Sequence, residues 1–359
     1  MRTFFIETWG CQMNRHDSEH LEGQLRIRGL EPARTPEGAD LVLLNTCSVR
    51  EKPVQKIVSR IGALASLNKP PLIGVCGCVA QQEGQALLDR SSAVGFVLGP
   101  GQTGRLGDAL RAVEQGRRLV LTGFDAEAEY NFSTIFRTSS SRGMVTVIEG
   151  CDEHCTFCIV PYTRGRERSR HLEDILTEVR SLADRGLREV ELLGQTINAY
   201  RCPGTGSDFA DLLDAVARVP GLARVRYVTS HPRHFTDRLI EVIARHPNVS
   251  RYLHLPVQSA SDKVLRRMNR KYTRSEFLAL VERIRGTVPS LNLSTDVIVG
   301  FPGETEEDFT ETLDLLETVR FGQVFAFAFS PRPRTPAARY RDDVEEEEKK
   351  LRLHRLFEI

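Results

Sequence analysis

No apolar run in this 359-residue chain approaches the roughly 18 residues that a membrane-crossing helix needs. The first residues, MRTFFIETWGC, hold no hydrophobic stretch long enough for a secretory signal. Both absences set the expectation of a cytoplasmic protein. An excess of charge is lacking too. Lys and Arg number 49 against 48 Asp and Glu, a net charge of +1. That excludes a uniformly basic nucleic-acid coat and leaves room only for local patches. Wholesale disorder is excluded, because 40% hydrophobic beside 27% charged residues is the composition of a folded chain. What is present, with no export signal, is eight cysteines, at 11, 47, 76, 78, 151, 155, 158 and 202. Thiols inside a cell stay reduced, so their clustering points to metal or redox chemistry and away from a disulfide framework.

The length predicts two domains, and the hydrophobic patterning divides the chain accordingly. Residues 1–118 alternate short apolar strands (3–8, 41–45, 72–76, 94–98) with helices (16–28, 53–67, 83–90, 106–114). Strands this apolar between helices imply an α/β domain, an open parallel sheet of Rossmann or flavodoxin-like type covered on both faces. Residues 119–143 carry acidic and Ser-rich stretches without a period and read as a linker. Alternation resumes over 144–340, with strands at 144–149, 189–193, 224–229, 250–254, 292–297 and 323–327. Helices at 172–184, 209–217, 236–245, 262–268 with 275–285, and 306–318 lie between them. Six such units fall short of a full (β/α)8 barrel and predict a partial (β/α)6 barrel. A charged helix over 341–359 ends the chain.

Cys151, Cys155 and Cys158 form C-x3-C-x2-C directly after the first strand of the second domain. Three thiolates are too few to close a structural zinc site, where four ligands are usual. They are the number that leaves one iron of a cubane [4Fe–4S] cluster open to another ligand. A zinc site completed by His154, or three unrelated core cysteines, are the alternatives. In the first domain Cys11, Cys47 and Cys78 each follow a strand, 36 and 31 residues apart. Equivalent strand ends of a parallel sheet lie side by side, so these three converge on one crevice and could hold a second cluster, unless they are ordinary buried thiols. Cys76 reads as a small hydrophobe inside its strand, and Cys202 is unassigned. Two basic runs stand out: Arg164, Arg166, Arg168 and Arg170, then Lys263, Arg266, Arg267, Arg270, Lys271 and Arg274. Such runs are solvated helix faces or phosphate contacts. GPGQTG at 99–104 imitates a dinucleotide fingerprint but lacks the following acidic residue, and reads as a strand-to-helix turn.

The spacing and position of Cys151, Cys155 and Cys158 resemble the radical S-adenosylmethionine (SAM) superfamily. The resemblance implies that SAM chelates the open iron and is cleaved by an electron to methionine and a 5′-deoxyadenosyl radical. It implies further that Phe157 packs near the adenine, unless it only anchors the loop. Gly194 and Gln195 would bind the SAM amino group, Asp296 the ribose, and the backbone of Val299 and Gly300 the adenine. TWGCQMNRHDSE, LNTCSVRE and CGCVAQ narrow the likeness to the methylthiotransferase family. CTFCIVPYTRGRERSR, LGQTINAYR, TSHPRHFTD, LHLPVQSASDKVLRRMNRKYT and DVIVGFPGETEEDF are similar to its tRNA branch. Trp9 and Ala260 depart from the family's usual residues without touching a proposed ligand.

That branch converts N6-isopentenyl-adenosine at position 37 of tRNA into its 2-methylthio derivative. The resemblance therefore implies two [4Fe–4S] clusters and two uses of SAM, as methyl donor and as radical source. It also implies an electron donor, a sulfur source and an anticodon loop as partners, with Arg164, Arg166, Arg266, Arg267 and Arg270 gripping phosphates of the RNA. A monomer is expected, away from membranes. Rival readings are the branches acting on threonylcarbamoyl-adenosine in tRNA or on an Asp of a ribosomal protein, and, remotely, a non-catalytic metal-bearing RNA-binding protein. The family normally adds a C-terminal β-barrel RNA-binding module, to which the helix over 341–359 would lead.

Overall fold

The computed structural model describes residues 1–48, 53–124, 135–136, 139 and 141–359. It divides into two compact units. One comprises Met1–Ser140 with Val160–Gly165, the other Ser141–Ile159 with Arg166–Ile359.

The first unit is a parallel sheet of β1 (Thr3–Thr8), β2 (Glu31–Pro32), β3 (Leu41–Thr46), β4 (Leu72–Gly77), β5 (Val94–Leu98) and β6 (Leu119–Leu121), in the order β2-β1-β3-β4-β5-β6. This is the flavodoxin-like order, whose topological switch point lies between β1 and β3. β3 and β5 are buried along their whole length, as strands covered on both faces must be. The covering helices are α1 (Gln12–Ile27), α2 (Pro53–Ala65), α3 (Cys78–Glu83), α4 (Gln85–Arg90) and α5 (Leu106–Glu114), and the short α6 (Val160–Thr163) also belongs to this unit. α1 starts four residues before the expected 16, because its first turns bury polar side chains, Asn14, His16, Asp17 and Glu19. An apolar stripe cannot announce such a start. The single helix expected over 83–90 is two helices that part at Gly84. The sheet also runs into the expected linker, since β6 pairs with β5. Of that linker, residues 125–134, 137–138 and 140 lie outside the described residues.

The second unit holds six parallel strands in chain order, wrapped by helices. β7 (Arg142–Thr146), β10 (Glu189–Leu193) and β11 (Arg224–Tyr227) pair in one arc. β12 (Tyr252–His254), β13 (Asn292–Val299) and β14 (Gln323–Ala328) pair in another. A parallel bridge between Val225 and Val249 joins the arcs. The strand expected over 144–149 breaks in two: β8 (Ile148–Glu149) leaves the arc and pairs antiparallel with β9 (Arg168–Ser169). Around the arcs lie α7 (Leu172–Asp184), α8 (Phe209–Ala217), α9 (Asp237–Arg245), α10 (Asp262–Arg267), α11 (Arg274–Thr287), α12 (Glu306–Val319) and α13 (Glu346–Phe357). The outward-facing Leu293, Val297 and Val299 of β13 pack into the helix-covered core, which also takes Phe277, Phe309 and Leu316. The inward-facing Ser294, Asp296 and Ile298 alternate with them. This is the expected partial (β/α)6 barrel.

Candidate cysteine centres

In the first unit Cys11 is the N-cap of α1, Cys47 follows β3 directly, and Cys78 opens α3 directly after β4. Three strand ends thus deliver three thiols to the switch-point crevice. Cys47 hydrogen-bonds Cys11 and lowers its thiol to about 5; Arg164 and the backbone N–H groups of Asn14 and Met13 act in the same direction. Burial pushes the Cys78 thiol up, opposed by the neighbouring Arg164 guanidinium, which also hydrogen-bonds it. Two glycines make this approach possible. A Cβ on Gly10 (φ +130°) would collide with Cys47, and one on Gly77 (φ +89°) with Asn45 and the Thr46 backbone. Behind the thiols runs a buried polar lattice. Asn45 Nδ2 donates to the Asn14 carbonyl at 2.7 Å and to Ser18 Oγ at 2.9 Å, and Asn14 Nδ2 donates to the Trp9 carbonyl at 3.2 Å. Cys76, wholly buried in β4, packs with Phe4, Leu41 and Phe96 as a hydrophobe.

In the second unit Cys151, Cys155 and Cys158 share one loop that its surroundings hold at almost every residue. The Gly150 N–H donates to Gln195 Oε1. Cys151 Sγ lies 3.2 Å from Thr196 Oγ1, and the Asp152 N–H donates to Glu167 at 3.1 Å. Thr156 donates its N–H to the Met268 carbonyl at 3.0 Å and its hydroxyl to that of Arg267 at 3.0 Å. Arg270 Nη1 reaches Cys155 Sγ at 3.5 Å. Burial raises the Cys151 thiol to about 11, against the Thr196 hydrogen bond. Both triads offer soft sulfur donors, three at a time, on fixed backbone, and so fit a [4Fe–4S] cluster that keeps one iron open.

Glu153, His231 and His234 bring their ligand atoms within 4.8 Å of one another. His231 Nδ1 accepts the Arg233 N–H at 3.2 Å, which puts the ring proton on Nε2. That nitrogen therefore cannot ligate a cation while the ring is neutral, and burial keeps it neutral by lowering its pKa to about 2. Glu153, lowered to about 2 chiefly by its hydrogen bond with His234, ties the cysteine loop to the loop after β11 instead.

The residues expected around SAM are spread over the same strand ends. Gln195 Oε1 accepts the Gly150 N–H, and the Gly194 carbonyl accepts the Thr229 hydroxyl at 2.6 Å. The Val299 carbonyl accepts the Phe329 N–H at 2.8 Å, and the Gly300 N–H donates to Glu304 at 2.8 Å. Asp296 Oδ2 lies 3.2 Å from His254 Nε2, whose Nδ1 is 2.9 Å from Ser294 Oγ. Phe157 is partly buried and packs on the cluster of Val264, Met268, Phe301 and Phe329. A feature with no sequence signal is the exposed pair Phe325 and Phe327 on β14. They stand in register with Asp296 and Ile298, and the Phe325 ring lies 5.9 Å from that of His254.

Two of the expected RNA-gripping arginines require correction. Arg164, its side chain 4% exposed, is bound by Asp17 at 2.6 Å and Asn14 at 3.1 Å. Arg270, also buried, donates to Tyr272 Oη and the Pro256 carbonyl, both at 2.8 Å. Neither can present its fork to a phosphate in solvent. Arg166 is exposed beside Asp152 at 3.1 Å, Arg168 pairs with Glu149 and Arg170 with Glu178. Arg266 is exposed on α10, while the exposed Arg267 stacks over Tyr340 at 4.6 Å. Cys202 is structural: its Sγ accepts the Leu172 N–H at 3.3 Å.

A partial parallel barrel with C-x3-C-x2-C on the loop after its first arc strand defines a radical SAM iron–sulfur enzyme. Residues 145–316 match the radical SAM superfamily, and residues 3–99 match the uncharacterized protein family UPF0004. The tRNA-2-methylthio-N(6)-dimethylallyladenosine synthase of Koribacter versatilis (strain Ellin345) is 47% identical over 99% of this chain and 81% of its own length. That of Bdellovibrio bacteriovorus is 46% identical over 100% of this chain and 80% of its own. The chain belongs to the tRNA-2-methylthio-N(6)-dimethylallyladenosine synthase family, transferases that use SAM and [4Fe–4S] clusters. In fold it is similar to the radical SAM methyltransferase TsrM from Kitasatospora setae, solved with cobalamin and a [4Fe–4S] cluster. The TM-score is 0.67 at 16% identity, over 94% of this chain and 74% of that one. Among the described residues no helix is long and apolar enough to cross a membrane.

Proposed function

We propose that this chain converts N6-isopentenyl-adenosine at position 37 of the tRNA anticodon loop into its 2-methylthio derivative, working as a cytoplasmic monomer. Cys11, Cys47 and Cys78 hold one [4Fe–4S] cluster and Cys151, Cys155 and Cys158 the other. When bound, the second supplies the electron that cleaves SAM, and the first carries the sulfur that a further SAM methylates. The protein's own residues position and exclude. Asn14, Asn45 and Arg164 brace the first thiol crevice, and Gln195, Thr196 and Glu153 fix the second loop. Phe325 and Phe327 offer an apolar face to the purine and its isopentenyl group, as aromatic side chains do for bases in single strands. Asp296 and Gly300 remain our SAM ribose and adenine contacts. Of the five arginines expected to grip RNA, Arg166, Arg266 and Arg267 are exposed and serve as the RNA contacts. A loop adenosine is already partly unstacked, so exposing its C2 edge costs less than flipping a base from a duplex.

The observation that carries this reading is the convergence of two separate cysteine triads at strand ends. Its test is anaerobic reconstitution with iron, sulfide and a chemical reductant, then mass spectrometry of nucleosides from tRNA with and without the isopentenyl group. The 2-methylthio nucleoside should form only on isopentenylated tRNA. Cys47→Ala should abolish it while SAM cleavage stays measurable. Methylthio product from Cys47→Ala would remove the first triad from the reaction.

A further inference from the structure

The last helix, α13, buries two basic side chains, and both work on one turn. The Lys349 side chain is 1% exposed and that of Arg352 6%. Long cationic side chains are seldom covered to this degree, because stripping water from the charge is costly. What they touch is the turn that follows β13. Arg352 Nη1 donates to Glu304 twice, to Oε1 at 2.7 Å and to the carbonyl at 3.2 Å. The same Glu304 oxygen accepts the Gly300 N–H at 2.8 Å. Gly300 has φ +66°, and a Cβ placed on it would strike Lys349 Cγ. The aliphatic stem of Lys349 therefore packs against the Gly300 backbone, while its ammonium reaches Asp342 at 2.7 Å and Glu346 at 2.9 Å.

Other bonds hold the same turn from the same side. The Gly303 N–H donates to Asp343 at 2.6 Å, just before α13. Burial pushes the Glu304 carboxyl up, and the Gly300 N–H and Arg352 oppose it. Removing Arg352 would leave that buried carboxylate with a backbone N–H alone, which is the costly way to break a buried pair. Arg355 pairs with Glu306 at 2.6 Å on the same helix, but at a partly exposed place where such a pair is worth little. α13 lies wholly beyond residues 145–316, the span that matches the radical SAM superfamily. The clamp on this strand-end turn thus comes from outside that span.

We infer that α13 helps to set the affinity for SAM: Arg352, through Glu304, and Lys349, through its stem, hold the Gly300 backbone in the pose that receives the adenine. The inference rests on the reading that Gly300 contacts that adenine. A turn already held in its bound pose loses less conformational freedom when the ligand arrives, and the ligand binds more tightly for it. Both side chains are positioning residues. They act through the turn and need not touch SAM.

The test uses the full chain reconstituted with iron and sulfide. Arg352→Met, Lys349→Ala, Lys349→Met and Arg355→Met are compared with the parent in two measurements. One is amide hydrogen exchange of the peptide 298–305 without SAM, and the other is equilibrium dialysis of SAM itself. Arg352→Met should exchange faster over that peptide and bind SAM about tenfold more weakly. Lys349→Ala opens space beside Gly300 and should weaken SAM by about threefold or more, whereas Lys349→Met keeps the stem and should stay within about twofold of the parent. Arg355→Met should match the parent in both measurements. A helix that only stabilised the barrel would make the two Lys349 variants alike and would group Arg355→Met with Arg352→Met, which overturns the inference. Parent exchange and parent affinity in Arg352→Met overturn it as well, at the clamp. Faster exchange with parent affinity overturns it at the other link, since the clamp then stands and Gly300 is not where SAM binds. Should Arg352→Met fail to fold, the Lys349 pair decides: weaker binding by Ala than by Met supports the inference, and equal binding overturns it.

Discussion

Gly77→Ala should collapse the first cysteine crevice and leave the second intact. Gly77 ends β4 with φ +89° and ψ −159°, a conformation essentially reserved for glycine. An added Cβ would press on Asn45 Oδ1 and on the backbone of Thr46, both in the neighbouring β3. Asn45 cannot step aside freely, because its amide holds Asn14 and Ser18. Backbone strain contributes about 1–3 kcal/mol and forced overpacking about 1–3 kcal/mol more. Taken together these predict a loss of about 4 kcal/mol for the first unit. The single tryptophan, Trp9, lies in that unit with its backbone N–H on the Asn45 carbonyl at 2.9 Å, so its fluorescence reads this unit's unfolding. With a urea slope of about 2 kcal/mol/M, the midpoint should drop by about 2 M. Iron after reconstitution should fall from about eight to about four per chain. Gly62→Ala is the control: it lies in α2 with open space around the new methyl, and should stabilise by about 0.5–1 kcal/mol. A Gly77→Ala midpoint within about 0.5 M of the parent, at undiminished iron, would refute the steric reasoning.

Two further outcomes follow from charges in the second unit. Burial pushes the Asp308 carboxyl up, but Lys263, the Ser261 hydroxyl and Thr305 more than offset it and hold it at about 2. The unfolded carboxyl binds its proton first as pH falls, so the stabilisation is whole above about pH 4 and is lost as pH drops through about 2. That difference is worth about 2 kcal/mol; Asp308→Asn should lose it at pH 7, and denaturant midpoints of the two proteins should converge towards pH 2. A gap that stays constant down to that pH would contradict the assignment. Reversing the charge of the exposed Arg266 and Arg267 should weaken tRNA binding at low salt and reduce the slope of log K against log salt by about 1.5. Unchanged affinity and slope, measured by anisotropy with labelled tRNA, would remove both from the RNA face.

The parts legible in the sequence are those whose signal is local. LVLLN and VGFVL announce buried parallel strands without help from elsewhere, and both lie in the first unit's sheet. C-x3-C-x2-C holds its whole triad within eight residues. The Cys11, Cys47 and Cys78 set was legible only because strand ends in a parallel sheet are equivalent positions. The groups that shape the sites were not legible. Asn14 and Asp17 sit on a helix turn that buries polar groups, so its start carried no apolar period. The glycines before Cys11 and Cys78 read as ordinary turn residues until the neighbouring strand shows what a methyl would strike.

The two arginines show the same limit from the side of charge. A run of alternating Arg declares that positive charge is present and says nothing about what answers it. The partner that claims Arg164, Asp17, is 147 residues away, and the sulfur that claims Arg270 is 115 residues away. Arg164, Arg166, Arg168 and Arg170 all meet an acid of their own chain, yet Arg164 and Arg170 are closed off from solvent, Arg168 is partly open and Arg166 is fully exposed. Charge pattern alone therefore overstates the RNA-binding surface. What distinguishes a grip on phosphate from a counter-ion for buried thiolates is desolvation. A fork in solvent can exchange water for a phosphate oxygen, whereas a buried fork must keep the anion it was folded around. Arg270 is such a buried fork: its partners are Tyr272 Oη, the Pro256 carbonyl and Cys155 Sγ, and no carboxylate among the described residues lies within ion-pair reach of it.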